Sequence, residues 1–173
     1  MRLSFWSQTS VRRFILRFFL VFFLVQILLL AWPDIARVQH LIAGVVGLII
    51  NVPAEGVFLI LRSARFEITA YCTGIVGIGM WWGLLFGFRA PAINIKIIFG
   101  VLGSLILFFA NILRIALVVF AGRSMNTVVA EWLHVATWFL FSILIVGMWY
   151  WLISRYFKET NMQRLARKLL GNA

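Results

Sequence analysis

The stretch Ile68-Thr69-Ala70-Tyr71-Cys72-Thr73-Gly74-Ile75 decides how this chain is organised. It contains the only cysteine, and it lies where a polar segment turns into an apolar helix long enough to cross a bilayer. Small polar residues at the mouth of such a helix require a physical reason. We interpret Cys72 as a nucleophile at the membrane surface, to which two later helices bring Arg114 and His134.

Composition restricts the class of protein. The chain has 173 residues, of which 64% are hydrophobic and 12% charged, and this is too little charge to solvate a soluble domain of that size. We predict a single integral membrane domain over residues 1–173. The net charge of +11 is explained by basic residues at cytoplasmic loops and anionic lipid headgroups. Membrane lipids are therefore expected partners, and nucleic acid is not.

Four apolar segments predict an all-α polytopic membrane protein, because a spanning helix needs about 20 apolar residues. After the first segment, the apolar run 38–50 would rise only about 20 Å as a helix. We therefore expect a re-entrant or interfacial segment over residues 35–67, with a short extended excursion on the extracytoplasmic side. The predicted transmembrane helices cover residues 14–32, 72–88, 97–121 and 132–153.

The basic residues orient these four spans. With four spans, both termini lie on the cytoplasmic side together with Arg89 and Lys96, which satisfies the positive-inside tendency. The basic tail 154–173 is then cytoplasmic. A fifth span over 38–61 is disfavoured because it would send that tail outside and bury Glu55, at a cost of a few kcal/mol.

Arg114 lies well inside the third predicted span, with Asn111 one turn before it. An arginine inside the membrane costs a few kcal/mol unless it is paired or hydrated, so it is a functional candidate by default. Snorkelling to the outer interface is the structural alternative, because Arg114 is only seven residues from Ala121. Snorkelling explains the Asn-x-x-Arg pair less well, and we predict that Asn111 supports a functional Arg114.

His134 lies near the start of the last predicted span, three residues after Glu131. A lone histidine at a helix start is most often an interfacial polar residue. Glu131 is predicted to hold one ring nitrogen, which leaves the other free to exchange a proton. In the four-span topology His134, Cys72 and the far end of the third span all face the extracytoplasmic side.

Cys72 on its own would more often be a small buried residue than a nucleophile. Its position favours a nucleophile, because free N–H groups at a helix N-terminus and a nearby cation stabilise a thiolate. Thr73 and Gly74 are expected to support the site, Gly74 by letting another backbone come close. A metal site is not expected, since one cysteine and two scattered histidines form no recognisable ligand set, and no cofactor is predicted.

The motifs Tyr71-Cys72-Thr73-Gly74 and Asn111-Ile112-Leu113-Arg114-Ile115, followed by His134, resemble those of the exosortase/archaeosortase family of membrane transpeptidases. The order Cys, Arg, His, each at the outer end of its own helix, is similar to that family's pattern. The similarity covers most of residues 14–153. Within the family, the chain looks most like the short stand-alone form called exosortase H.

The resemblance implies a cysteine protease or transpeptidase in a prokaryotic cell membrane, with its active site on the extracytoplasmic side. Its partners would be exported proteins with a C-terminal sorting signal, made of a short motif, a transmembrane helix and basic residues. Cys72 would attack the scissile carbonyl to form a thioester, and Arg114 would stabilise the thiolate or the oxyanion. His134 would protonate the leaving amine and then activate an acceptor nucleophile of unknown identity. The overall reaction would be hydrolysis or transpeptidation, depending on that acceptor.

Two other classes of protein remain compatible with the residues. A non-catalytic assembly factor or transporter subunit would not need Cys72, Arg114 and His134 to meet. A cysteine-dependent lipid acyltransferase would use Cys72 as an acyl carrier. The mutual arrangement of the three side chains is the observation that bears most directly on these alternatives.

Overall fold

The computed structural model of the chain describes residues 8–61, 65–161, 164–165 and 168–169. Most of these residues are helical, and a 3-10 turn at Ala70–Thr73 precedes the third helix. The helices are α1 (Gln8–Leu30), α2 (Ile35–Ile50), α3 (Ile75–Gly87), α4 (Ile93–Ser124) and α5 (Thr127–Phe157). The strands are β1 (Ala54–Glu55), β2 (Phe58–Ile60) and β3 (Arg65–Glu67), and they form one antiparallel sheet in this order.

Three of the described helices, α1, α4 and α5, are long and apolar enough to cross a membrane. The second predicted span, 72–88, is different, because α3 within it has 13 residues and rises only about 20 Å. A bilayer has a hydrocarbon core of about 30 Å. The helical, polytopic membrane class is therefore confirmed, whereas the prediction of four spanning helices is not.

The ends of two long helices also differ from the prediction. α4 begins at Ile93, four residues before the predicted start. α5 begins at Thr127 because the side chain of Asn126 accepts a hydrogen bond of 2.8 Å from the Val129 N–H and caps the helix. His134 therefore lies two turns inside α5 rather than at its entrance.

α1 packs along α3 through glycines that are four residues apart. A Cβ atom placed on any of these glycines would lie within 3 Å of an α1 side chain, so the two backbones approach closely only because the Cβ is missing. The glycines are Gly79, Gly83 and Gly87, and they face Gln26, Phe18 and Phe14 respectively. Gln26 also donates a hydrogen bond of 2.9 Å to the Ile75 carbonyl, which joins α1 to the first turn of α3.

Replacing Gly83 with leucine is expected to destabilise the protein by about 1–3 kcal/mol, because the side chain would push α1 away from α3. The effect is measurable as a lower thermal unfolding temperature in detergent. Gly147→Leu in α5 is the matched control, since a Cβ at Gly147 meets no atom within 4 Å. Equal stability of the two variants would show that the α1–α3 contact does not depend on Gly83.

Among the described residues, the buried apolar side chains form two clusters at different heights along α4. One cluster joins α3, α4 and α5 around Trp81 and Leu107. The other joins α2 and the sheet to the C-terminal half of α4, around Leu59 and Ile115. Cys72 packs against this second cluster, so the 3-10 turn lies beneath the layer formed by α2 and the sheet.

The predicted basic tail, 154–173, is described only in part. Residues 154–157 of the tail form the end of α5. Leu165 and Leu169 are buried in the cluster that joins α3, α4 and α5. The Leu169 carbonyl accepts hydrogen bonds from the N–H groups of Arg89 and Ala90, at 3.1 and 3.4 Å. The described part of the tail thus packs against the turn after α3, while 162–163, 166–167 and 170–173 lie outside the described residues.

Candidate active site

Cys72 is a free, half-buried cysteine in the 3-10 turn that precedes α3. The Thr69 hydroxyl donates a hydrogen bond of 3.4 Å to its Sγ. Thr73 closes the turn by donating from Oγ1 to the Ala70 carbonyl at 2.6 Å. Gly74 ends the turn with a φ of 87°, a left-handed conformation that favours glycine. The local sequence thus fixes the thiol at the entrance of α3.

Asn111 connects the cysteine turn to the arginine. It is fully buried, and its Nδ2 donates a hydrogen bond of 2.6 Å to the Cys72 carbonyl. Its Oδ1 accepts a hydrogen bond of 3.1 Å from Arg114 Nε. A Cβ at Gly74 would lie 3.3 Å from the Asn111 carboxamide, so glycine is needed here for a side chain of α4 to approach, as well as for the backbone conformation.

Arg114 is turned into the protein and does not snorkel. The residue is 6% exposed, and its guanidinium carbon lies 4.4 Å from the centre of the Trp138 ring. Its Nη1 and Nη2 are buried without a hydrogen-bond partner among the described residues. Unpaired buried donors of this kind are costly, and their planar fork matches an oxygen ligand.

His134 is held by Trp138 and not by Glu131. The Trp138 Nε1–H donates a hydrogen bond of 3.1 Å to His134 Nε2. Trp138 lies one turn deeper on the same face of α5, whereas Glu131 is exposed and is not a hydrogen-bond partner of His134 in the described part of the chain. The predicted Glu131–His134 contact is therefore wrong. With Nε2 accepting, a neutral imidazole carries its proton on Nδ1.

Cys72 and His134 line one cavity of about 540 Å³. Its walls come from the end of α4, the start of α5, the cysteine turn and strand β3. Glu131 lines the same cavity. Arg114 does not line the cavity but contacts residues that hold its two walls. Asn111 joins Arg114 to the Cys72 turn, and Trp138 joins it to His134. The structure thus brings together the three residues that the sequence singled out.

Trp138 is the residue at this site that sequence reasoning missed. It contacts both Arg114 and His134, since its ring lies against the Arg114 guanidinium and its N–H donates to His134. The signal was present in the spacing, because Trp138 follows His134 by four residues and such pairs share a helix face. In an apolar helix rich in aromatic residues, however, that spacing is also typical of ordinary packing.

Replacing Trp138 with phenylalanine is expected to lower kcat about 3- to 10-fold and leave KM nearly unchanged. The variant keeps an aromatic face against Arg114 but loses the one hydrogen bond that orients His134. Steady-state kinetics of peptide cleavage measure the split between kcat and KM. Trp132→Phe in the same helix is the matched control, since Trp132 is 73% exposed. A fall in thermal stability with unchanged kcat would identify Trp138 as a packing residue only.

The fold and the cavity define a polytopic helical membrane protein with a cysteine, an arginine and a histidine gathered beside one pocket. The family model described as transmembrane exosortase matches residues 1–150. The chain therefore belongs to the transmembrane exosortase family, whose general role is that of membrane cysteine transpeptidases. No curated protein and no solved structure matches the chain. Its assignment to exosortase H stays a prediction.

Proposed function

We propose that this protein is a membrane cysteine transpeptidase that cleaves C-terminal sorting signals of exported proteins at the outer membrane–water boundary. The observation that carries the proposal is the meeting of Cys72 and His134 at a single cavity, with Arg114 buried behind it and joined to the Cys72 turn through Asn111 and to His134 through Trp138. A non-catalytic membrane subunit has no need of that meeting. Nor does it need an arginine behind its cysteine whose Nη1 and Nη2 are buried and have no hydrogen-bond partner in the described part of the chain.

The chemistry divides among the three side chains. Cys72 Sγ attacks the scissile carbonyl as its proton passes to His134 Nε2, which gives up the hydrogen bond from Trp138 to accept it, and Arg114 Nη1 and Nη2 stabilise the oxyanion of the tetrahedral intermediate. The C–N bond then breaks, and the imidazolium returns the proton to the leaving amine. The exported protein is now a thioester of Cys72. An acceptor nucleophile gives its proton to His134 and attacks the thioester carbonyl; the C–S bond then breaks, and the imidazolium returns the proton to the leaving thiolate to restore the free thiol.

The charges at the two ends of the helical bundle support a cytoplasmic location for both termini. The contacts Phe14–Phe88 and Phe99–Tyr156 bring the start of α1, the end of α3, the start of α4 and the end of α5 to one end. This end is strongly basic, with Arg12, Arg13, Arg17, Arg89, Lys96, Arg155 and Lys158. The opposite end, which contains the cavity, carries most of the acidic residues, namely Asp34, Glu55, Glu67 and Glu131. By the positive-inside tendency, the cavity faces the extracytoplasmic side.

The height of the cysteine along α4 supports a site in the outer leaflet. Lys96 lies at the basic end of α4, and Asn111 binds the Cys72 turn further along the same helix. The helix rises about 22 Å between these two residues. The hydrocarbon core is about 30 Å thick, so a Lys96 at the inner boundary would put this turn in the outer leaflet, about 8 Å below the outer boundary. A substrate whose own helix crosses the bilayer emerges from the membrane at this height. α2 and the sheet pack on the part of α4 beyond Asn111, which is compatible with an interfacial location for residues 35–67.

Trapping the covalent intermediate tests the proposal. Native membranes that contain the full chain are quenched in acid during turnover, and the peptide that contains Cys72 is identified by mass spectrometry. We expect Cys72 to carry the C-terminal residues of a processed exported protein as a thioester. A fatty acyl group on Cys72 would instead support the lipid acyltransferase, and an unmodified Cys72 in membranes that process exported proteins would overturn the covalent mechanism.

A further inference from the structure

The two outer edges of the small sheet have different surroundings. At the β1 edge, Ala54 packs against α2, where its Cβ lies 3.4 Å from the position of a Cβ on Gly47. At the β3 edge, no further strand pairs with the sheet in the described ranges. An unpaired strand edge presents backbone N–H and C=O groups that are available to another extended chain.

The hydrogen bonds of the sheet show which backbone groups of β3 are free to pair. The Ile68 N–H donates to the Val57 carbonyl at 2.9 Å, so the N–H of Ile68 is directed toward the β2 side. In an antiparallel strand, successive residues direct these groups alternately to opposite neighbours. Phe66 therefore also points toward β2, whereas Arg65 and Glu67 direct their N–H and C=O groups toward the open edge.

The open edge adjoins the candidate active site. Arg65, Phe66 and Glu67 line the same cavity as Cys72 and His134. The chain reaches the cysteine only five residues after Glu67. A segment that pairs with β3 would therefore lie in the cavity that Cys72 lines.

We infer that β3 is the docking edge for the substrate, and that an extended peptide segment beside the scissile bond pairs with it as a fourth strand. This inference rests on the proposed function, because the occupant is the peptide that Cys72 cleaves. Peptides recognised in this way gain affinity from main-chain hydrogen bonds, and side-chain contacts add specificity. Arg65 and Glu67 are two residues apart, so their side chains lie on the same face of the sheet and contact neighbouring side chains of the added strand.

The chemistry of the edge fits a peptide and not a lipid. Arg65 and Glu67 together offer two backbone donors and two acceptors at the two-residue spacing of a strand. An extended peptide supplies complementary groups at the same spacing, whereas an acyl chain supplies none. A neighbouring pair of opposite charges on β3, with Glu131 across the cavity, also suits a polar peptide better than a hydrocarbon.

The test begins with the substrate itself. Membranes containing the Cys72→Ala variant are searched for exported proteins that accumulate with their C-terminal segment uncut, and a synthetic peptide spanning that cleavage site is the probe. If no uncut precursor accumulates, the proposed function fails and the inference falls with it. If a precursor accumulates, the two variants and the peptide scan described next test β3 alone.

Glu67→Pro removes the outward N–H of β3, whereas Glu67→Ala removes the same side chain and keeps the N–H. Proline is tolerated at a strand edge whose N–H faces away from the sheet. We expect kcat/KM for the probe peptide to be about 3- to 10-fold lower for Glu67→Pro than for Glu67→Ala, mainly through KM. Ala54→Pro, at the opposite edge of the sheet, is the matched control and should leave kcat/KM unchanged. Equal kcat/KM for the two Glu67 variants would overturn the inference.

A scan of the peptide makes the test independent of how the variants fold. Single backbone N-methyl groups are introduced at successive positions of the probe peptide, and cleavage by the unaltered protein is measured. Because backbone groups in a strand alternate between opposite edges, we expect strong inhibition at every second position and weak inhibition between. Inhibition without this two-residue period would contradict strand pairing at β3, even where cleavage at Cys72 is intact.

Discussion

Cleavage of exported precursors should stop when Cys72 is replaced with alanine. Loss of a nucleophile that acts together with its base and oxyanion donor costs about a millionfold in kcat in a comparable soluble peptidase. The fold should survive the change, because Asn111 binds the backbone carbonyl of Cys72 and not its side chain. The measurement is an immunoblot of a precursor and its processed form, together with the amount of the protein in the membrane. Full-length precursor should accumulate while the protein level stays normal.

Tyr71→Phe is the control for this experiment, since Tyr71 lies on the same turn and is exposed. It should process precursor at the normal rate. Cys72→Ser separates nucleophilicity from size, because the hydroxyl keeps the shape of the thiol but is much less readily deprotonated. We expect it to be nearly as inactive as the alanine variant. Continued processing in Cys72→Ala would favour the non-catalytic membrane subunit over an enzyme.

Replacing Arg114 with lysine is expected to lower kcat/KM about 100- to 1,000-fold, although the positive charge is kept. Lysine cannot donate to Asn111 from a fixed Nε and at the same time present two planar N–H groups to an oxyanion. It also loses the flat contact with the Trp138 ring. The measurement is kcat/KM for the peptide that spans a cleavage site. The thioester of Cys72 should be formed at a rate reduced by the same factor.

The matched control for this change is Arg123→Lys in the same helix. Arg123 donates to the carbonyls of Ile50 and Asn51 at the end of α2, and a lysine can still donate there. This variant should keep kcat/KM within a factor of about two, since surface substitutions seldom exceed 0.5 kcal/mol. If Arg114→Lys behaves like Arg123→Lys, then Arg114 is a structural cation that stacks on Trp138 and plays no part in the chemistry.

The sequence was sufficient to predict the membrane class and to single out Cys72 and His134, which line the cavity, and Arg114, which is buried behind it. Runs of apolar residues report directly on helix length, because each residue adds the same rise. A single cysteine at the start of an apolar helix and an arginine inside another are rare enough to attract notice by themselves. These predictions required only the identity and spacing of residues, which the sequence contains in full.

Other predictions from the sequence were less successful, and each failed for a local reason. The span 72–88 was predicted as one spanning helix, but Gly74 in a left-handed conformation separates the 3-10 turn from α3 and shortens the helix. Glu131 was predicted to hold His134, but the histidine binds the tryptophan one turn deeper. In the first case the backbone conformation of one glycine decides where the helix begins, and in the second a side chain one turn away supplies the hydrogen bond; hydrophobic periodicity reports on neither.

By itself, the sequence determined that this is a polytopic membrane protein with a candidate Cys–Arg–His site. Only the tertiary structure decided that Asn111 binds the cysteine turn, that Trp138 joins Arg114 to His134, and that the open edge of β3 adjoins the thiol. The physical reason is that these contacts depend on the height and rotation of each helix. Both are fixed by packing between segments distant in sequence, such as the glycine face of α3 against α1, rather than by any one segment alone.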